Sequence, residues 1–149
     1  MFTGDDSGNW LAKALHEVGF ANQPLSSTKD DGLRLKSAYI TAVARCVPPE
    51  NKPTYKEIEN CSRYLKEELR ILKNVQVVLT LGKIAFDSYL KHLNLSERPK
   101  FKHGFVYKHE GFPILIASYH PSRQNTQTKR LTWEMWTEVF KKTKDLIKN

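Results

Sequence analysis

Residues 113–125 read Pro113-Ile114-Leu115-Ile116-Ala117-Ser118-Tyr119-His120-Pro121-Ser122-Arg123-Gln124-Asn125, an apolar run that breaks into a polar loop. The run from Pro113 to Ala117 is short and almost wholly apolar, the composition of a buried strand. Behind it, a histidine, a proline and several hydrogen-bonding side chains stand at the strand's carboxyl end. In open α/β sheets that edge is where ligands bind. Pro121 fixes φ beside His120, and Ser122 and Asn125 offer groups suited to phosphate oxygens or a base edge. Read alone, a His-Pro-Ser triplet is also what a plain turn looks like.

Outward from this junction, helical and extended patterns alternate. Val75 to Leu81 is a nearly continuous apolar run, predicted as a central parallel strand, and Gly82 turns it into a helix from Lys83 to His92. Asn94 to Lys102 is polar and loop-like, and Phe105 to Val106 reads as a short strand. Towards the N-terminus, Ser7 or Asp6 caps a helix through Val18 whose stripe is Trp10, Leu11, Ala14, Leu15 and Val18, with Gly19 as its C′ residue. Asp30-Asp31-Gly32 is a turn signal, followed by an expected strand from Ser37 to Val43. Thr54 and Glu57 have capping-box spacing for a helix to about Lys73, with Ile58, Cys61, Leu65, Leu69 and Leu72 inward. A last helix, Thr132 to Ile147, would bury Met135, Trp136, Val139, Phe140 and Ile147. The expected fold class is α/β, three α/β/α layers around a parallel central sheet, in one domain over residues 1–149.

Composition bounds the partners without naming them. A chain of 149 residues with 40% hydrophobic and 11% aromatic content has the length for one sizeable core and is too apolar for disorder. The net charge of +8 suits a polyanionic partner, although the basic residues are dispersed. No apolar run approaches membrane-spanning length, and the N-terminus lacks a cationic region followed by an apolar one. The expectation is a soluble, cytoplasmic protein with no membrane partner, for which the sequon Asn94-Leu95-Ser96 is a chance match. Leu81-Gly82-Lys83 lacks the full phosphate-loop pattern, Lys141, Lys142, Lys144 and Lys148 read as a solvated helix face, and Trp133 and Trp136 as core and rim.

A second informative stretch is Ala38-Tyr39-Ile40-Thr41-Ala42-Val43-Ala44-Arg45-Cys46-Val47-Pro48-Pro49-Glu50-Asn51-Lys52-Pro53-Thr54, leading into the helix that carries Cys61. Taken with the Ser-Tyr-His-Pro-Ser loop, it resembles the uracil-DNA glycosylase superfamily, and within that the iron–sulfur branch and its type 5 enzymes. Type 5 wording also occurs in Met1-Phe2-Thr3-Gly4-Asp5-Asp6-Ser7-Gly8 and Gly19-Phe20-Ala21-Asn22-Gln23-Pro24, so the resemblance runs from residue 1 to about Phe140. The family opens with a strand and a Gly- and Pro-containing loop that lines the base pocket, and Met1 falls just after that loop. The expected domain therefore lacks its first strand, which would leave the strands from Ser37 and Val75 without a shared neighbour. A clipped or mis-started gene model is the favoured explanation over a short homologue that repaired the gap.

The activity implied by the resemblance is hydrolysis of the N-glycosidic bond of uracil and related deaminated bases in DNA, which initiates base excision repair. The bond lies inside a duplex, so the nucleotide must be flipped into a pocket or presented single-stranded. Cleavage puts positive charge on the sugar and negative charge on the departing base, and calls for donors aimed at the base oxygens. His120 matches the family histidine that donates to the pyrimidine carbonyl; a surface turn is its other reading. Asn51 matches the base-recognising asparagine, whose amide presents both a donor and an acceptor, and is otherwise a turn residue between prolines. Asp5 matches the acidic residue that activates water or stabilises the sugar cation, and is otherwise part of a helix cap. Ser122, Arg123 and Asn125 match the strand-holding loop, as phosphate clamp and wedge, against a merely solvated loop. Cys46 and Cys61 match two of the four thiolates of a structural [4Fe–4S] cluster; they also read as buried cysteines or a disulfide, which a reducing cytosol disfavours. The partner implied is DNA, and the chain is expected to act as a monomer. A catalytically inactive DNA-binding homologue of the same fold is the alternative.

Overall fold

The computed structural model describes residues 6–26, 30–42 and 55–147, with the side chains at 55, 57, 58, 60 and 61 outside that description. Three strands form its sheet in the order β1-β3-β2: β1 (Val77–Leu81), β2 (Val106–Tyr107) and β3 (Ile114–Ser118). The apolar run of the 113–118 segment is the middle strand, and Leu115, Ile116 and Ala117 are at most 1% exposed. β1 runs parallel to β3 in a register that pairs Val77 with Ile114 and Leu81 with Ser118, and β2 runs antiparallel, pairing Val106 with Ile116.

A parallel pair needs a crossover, and α3 (Lys83–Leu93) opens that between β1 and β3. Alternation along β3 then separates two cores. Leu115 and Ala117 face α3, where Phe86, Tyr89, Leu90 and Leu93 are buried. On the other face α1 (Asp6–Glu17) and α5 (Trp133–Leu146) bury Leu11, Ala14, Leu15, Trp136 and Phe140, with Leu79 and Leu81 of β1 against them. Trp136 is fully buried, and its indole N–H donates to the Trp10 carbonyl at 2.9 Å, which satisfies the one polar group of the ring. Trp133 is half-buried and meets Trp10 edge-on at 5.2 Å, so the pair divides into core and rim as expected. α2 (Tyr55–Ile71) packs beside α3.

Helix ends follow local chemistry. Gly19, at φ 85°, closes α1 in a Schellman pattern, its N–H bonded to the His16 carbonyl and that of Phe20 to Leu15. The Thr132 hydroxyl caps α5 by accepting from the Met135 N–H at 3.2 Å.

Several expectations are corrected. No strand forms over 37–42, the described part of the expected 37–43 strand. Ser37 turns to φ 60°, and backbone pairing occurs earlier, where Asn22 N–H meets the Arg34 carbonyl and Lys36 N–H the Phe20 carbonyl. A strand exists only where a partner completes its ladder, and among the described residues none lies beside 38–42. β1 is an edge strand of the described sheet rather than a central one; the β1–β3 pair is parallel as expected, and the short strand β2 adds to it antiparallel. The loop after His120 contains a short helix, α4 (Arg123–Gln127), where only a loop was expected. The capping box at Thr54 and Glu57 lies outside the described residues and side chains. Among the described residues no helix is long and apolar enough to cross a membrane.

Candidate functional site

The segment beyond β3 is held from four sides. First, the Gly82 N–H donates to the Ser118 carbonyl at 2.7 Å, carrying the β1–β3 ladder one step past β1. Gly82 has φ 93°, and a Cβ built on it would stand 3.2 Å from the His120 Cβ. Glycine is therefore favoured at this turn by its backbone angle, and the close approach of His120 leaves a side chain only a tight contact there. Second, the Asn125 amide donates to the His120 carbonyl at 2.9 Å. Third, the Ser7 hydroxyl, in the first turn of α1, donates to the Pro121 carbonyl at 2.8 Å. Fourth, the Tyr119 N–H donates to Nδ1 of His103 at 3.0 Å.

Short-range capping shapes the rest of the loop. Ser122 is the N-cap of α4, its hydroxyl accepting from the Asn125 N–H at 3.3 Å. Arg123 donates to Asp6 Oδ2 at 3.1 Å, which ties α4 to α1, but both side chains are more than half exposed. Such a surface pair contributes roughly 0–1 kcal/mol and yields readily to a better anion. The Tyr119 ring stacks on His103 with centroids 5.0 Å apart and an 18° interplanar angle, and the Arg130 guanidinium lies 5.0 Å from the Tyr119 centroid. Burial above all, reinforced by Lys142, holds His103 below its ordinary value of 6.5, while the Met135 carbonyl and Glu138 pull the other way.

Of the residues singled out in the sequence, His120, Ser122, Arg123 and Asn125 come together on this one edge, next to the α1 turn that carries Asp6 and Ser7. Asp5, Asn51 and Cys46 lie outside the described residues, and Cys61 is in α2 with its side chain outside them. Among the described residues no group of three or more His, Cys, Asp or Glu side chains is arranged to hold a metal ion. His103 escaped the sequence reading, because its partner lies 16 residues away and it belongs to no motif, and Ser7, read as a helix cap, instead bonds across 114 residues to Pro121.

Chemically, the edge offers an imidazole of fixed backbone position, a capped helix start and an exposed guanidinium within one short loop. That combination suits a ligand with carbonyl oxygens beside phosphates.

Comparison with known proteins points the same way. Residues 1–144 match the family described as the Uracil DNA glycosylase superfamily. A type-5 uracil-DNA glycosylase of Thermus thermophilus is 49% identical over 147 residues, covering 97% of this chain and 66% of that protein. One from Pyrobaculum aerophilum is 43% identical over 142 residues, covering 95% and 62%. A type-4 uracil-DNA glycosylase of Archaeoglobus fulgidus is 38% identical over 97 residues, covering 61% of this chain and 48% of its own length. The chain thus spans 66% and 62% of the length of the two type-5 relatives. It belongs to the uracil DNA glycosylase superfamily.

Proposed function

We propose that the protein is a DNA glycosylase that hydrolyses the N-glycosidic bond of uracil, and of related deaminated bases, in DNA. The observation that carries this reading is the placement of His120 at the carboxyl end of the middle strand, its Cβ close beside Gly82 and its carbonyl held by Asn125. Type-5 uracil-DNA glycosylases at 40–49% identity over nearly the whole chain support it.

In this mechanism the bond between the sugar C1′ and the base nitrogen breaks, its electron pair leaves with the base, and water adds to C1′. The products are the free base and an abasic sugar. His120 donates to a base carbonyl oxygen as negative charge develops there, which is the state it must stabilise most. Asn51 reads the base edge, and Asp5 holds the water or faces the sugar cation. Ser122 and Asn125 act by keeping the loop in shape, as their bonds to one another and to His120 imply. Arg123 is the member left to meet a phosphate, which would replace Asp6.

DNA is the partner, as a duplex with the base flipped out or as a single strand, and the place of action is wherever the cell keeps its DNA, the cytoplasm in a cell without a nucleus. The protein works as a monomer in this reading. A [4Fe–4S] cluster takes four thiolates, and this chain has two cysteines, Cys46 and Cys61. These residues do not hold such a cluster by themselves, and no step passes through it.

The test is base release from a duplex with one uracil–guanine pair. The wild-type protein should release uracil, and His120→Leu should slow release by about 10²–10³-fold with unchanged melting temperature. Binding of the duplex without release would make the protein a non-catalytic homologue instead.

A further inference from the structure

At the start of β2, two residues face one. Gly104 N–H donates to the Ala117 carbonyl at 2.8 Å, while Ala117 N–H donates to the Phe105 carbonyl at 3.1 Å. Gly104 sits at φ 78°, the left-handed first residue of a G1-type bulge, within a turn closed by Phe105 N–H to the Lys102 carbonyl at 3.1 Å. Such bulges re-aim the side chain next to them, and here the neighbour is His103. Its ring lies along the continuation of β3 and takes over where the backbone ladder has ended: Nδ1 accepts from the Tyr119 N–H at 3.0 Å. The second ring nitrogen, Nε2, is 3.4 Å from the Met135 carbonyl on α5. Because Nδ1 must accept, the ring proton belongs on Nε2, pointing at that carbonyl.

We propose that His103 is a positioning residue for base release, holding through the Tyr119 amide the stretch of backbone that aims His120. This rests on the reading of His120 as the group that meets the base. The coupling is direct, since Tyr119 precedes His120 and the carbonyl of the same peptide, that of Ser118, is held from the other side by the Gly82 N–H at 2.7 Å. Loss of the acceptor orphans a half-buried amide and lets the loop shift, and a shift of about 1 Å at a reacting group is enough to slow catalysis.

The role carries a pH signature. Glu138 and Lys142 of α5 face the ring together with the Met135 carbonyl, and Arg130 lies over Tyr119. Burial keeps the ring neutral at pH 7. When it does take a proton, Nδ1–H confronts the Tyr119 N–H, donor against donor, and the bond is lost. The rate of base release therefore falls on the acid side of the lowered His103 value.

The experiment is single-turnover uracil release between pH 5 and 8, with duplex affinity measured alongside, for the wild type, His103→Phe and His103→Asn. His103→Phe keeps a ring against Tyr119 but no acceptor, and should slow release about tenfold with affinity unchanged. His103→Asn offers a carbonyl that accepts but does not titrate, and should recover most of the rate while losing the acid limb. A His103→Phe protein as fast as wild type, or an unchanged acid limb in His103→Asn, overturns the role. Should His103→Phe fail to fold, the His103→Asn profile decides alone. A wild type that releases no base overturns the glycosylase reading and this role together, whereas variant behaviour on an active wild type bears on the role only.

Discussion

The two ends of the sheet are built on opposite plans. At the carboxyl end of β1 and β3, the loop from Ser118 to Asn125 is held by backbone and side-chain bonds from Gly82, Ser7, His103 and its own Asn125. At the other end lies an open groove of about 630 Å³, lined by apolar side chains such as Leu72, Leu93, Phe112 and Ile114, with Gln76 and His92 among them. Burial pushes the Tyr89 hydroxyl in that groove up to about 12, so it stays neutral. Judged by size, the groove would be the site. Judged by what base release requires, the small polar edge is better equipped, because stabilising developing charge depends on donors already fixed in place rather than on volume. The difference teaches that a concavity marks missing atoms, while a site is marked by polar groups whose positions are over-determined.

Both ends depend on the core they share. Trp136→Ala deletes a fully buried ring and its bond to Trp10, and should cost about 3–5 kcal/mol in urea unfolding, disabling both ends together. Gly82→Ala discriminates between them. It imposes left-handed strain of about 1–2 kcal/mol and presses a methyl to 3.2 Å from the His120 Cβ, so base release should fall about tenfold while the groove keeps its shape, as probed by the amide spectrum of residues 72–76 and 111–114.

Two histidines sharpen it further. Burial, aided by Lys66, lowers His92 from 6.5, as burial lowers His103. With a folded value below the unfolded one, the folded protein binds fewer protons as pH falls past 6.5. Stability is then full above 6.5 and is lost on descending through the lowered folded values. The melting temperature should drop between pH 7 and 5, and His92→Gln should remove part of that drop without altering the pH profile of base release. If it alters that profile, the two ends are coupled. The smallest effect is expected from Phe112→Ala on the groove rim: under about 1 kcal/mol in stability and no change in release.

Much of this was legible from local pattern. The helices α1, α3 and α5 and the strand β3 fall within a residue or so of their sequence boundaries, because apolar period, caps and glycine stops are properties of neighbouring residues. Lys141, Lys142 and Lys144 are exposed, although Lys142 and Lys144 reach the Gly104 and Val18 carbonyls, and Lys148 lies outside the described residues. The stretch after Ser37 differs from its pattern for the opposite reason: its β-prone residues state a preference, but only a partner strand turns preference into a ladder. The same limit applied to the loop. The motif named His120, Ser122, Arg123 and Asn125, but it could not tell that Ser122 caps a helix, that Asn125 grips the His120 carbonyl, or that Arg123 leans on Asp6.

By itself, then, the sequence determined the α/β alternation and the apolar strand ahead of His120, carried by the spacing of residues along the backbone, while the wording of its motifs carried the resemblance to the family. Tertiary structure alone decided the edge position of β1 in the described sheet, the positive φ of Ser37, and the meeting of His103 with Tyr119 and of Ser7 with Pro121. A hydrogen bond is chosen by which groups stand about 3 Å apart once the layers have packed, and that distance is written nowhere in the order of residues.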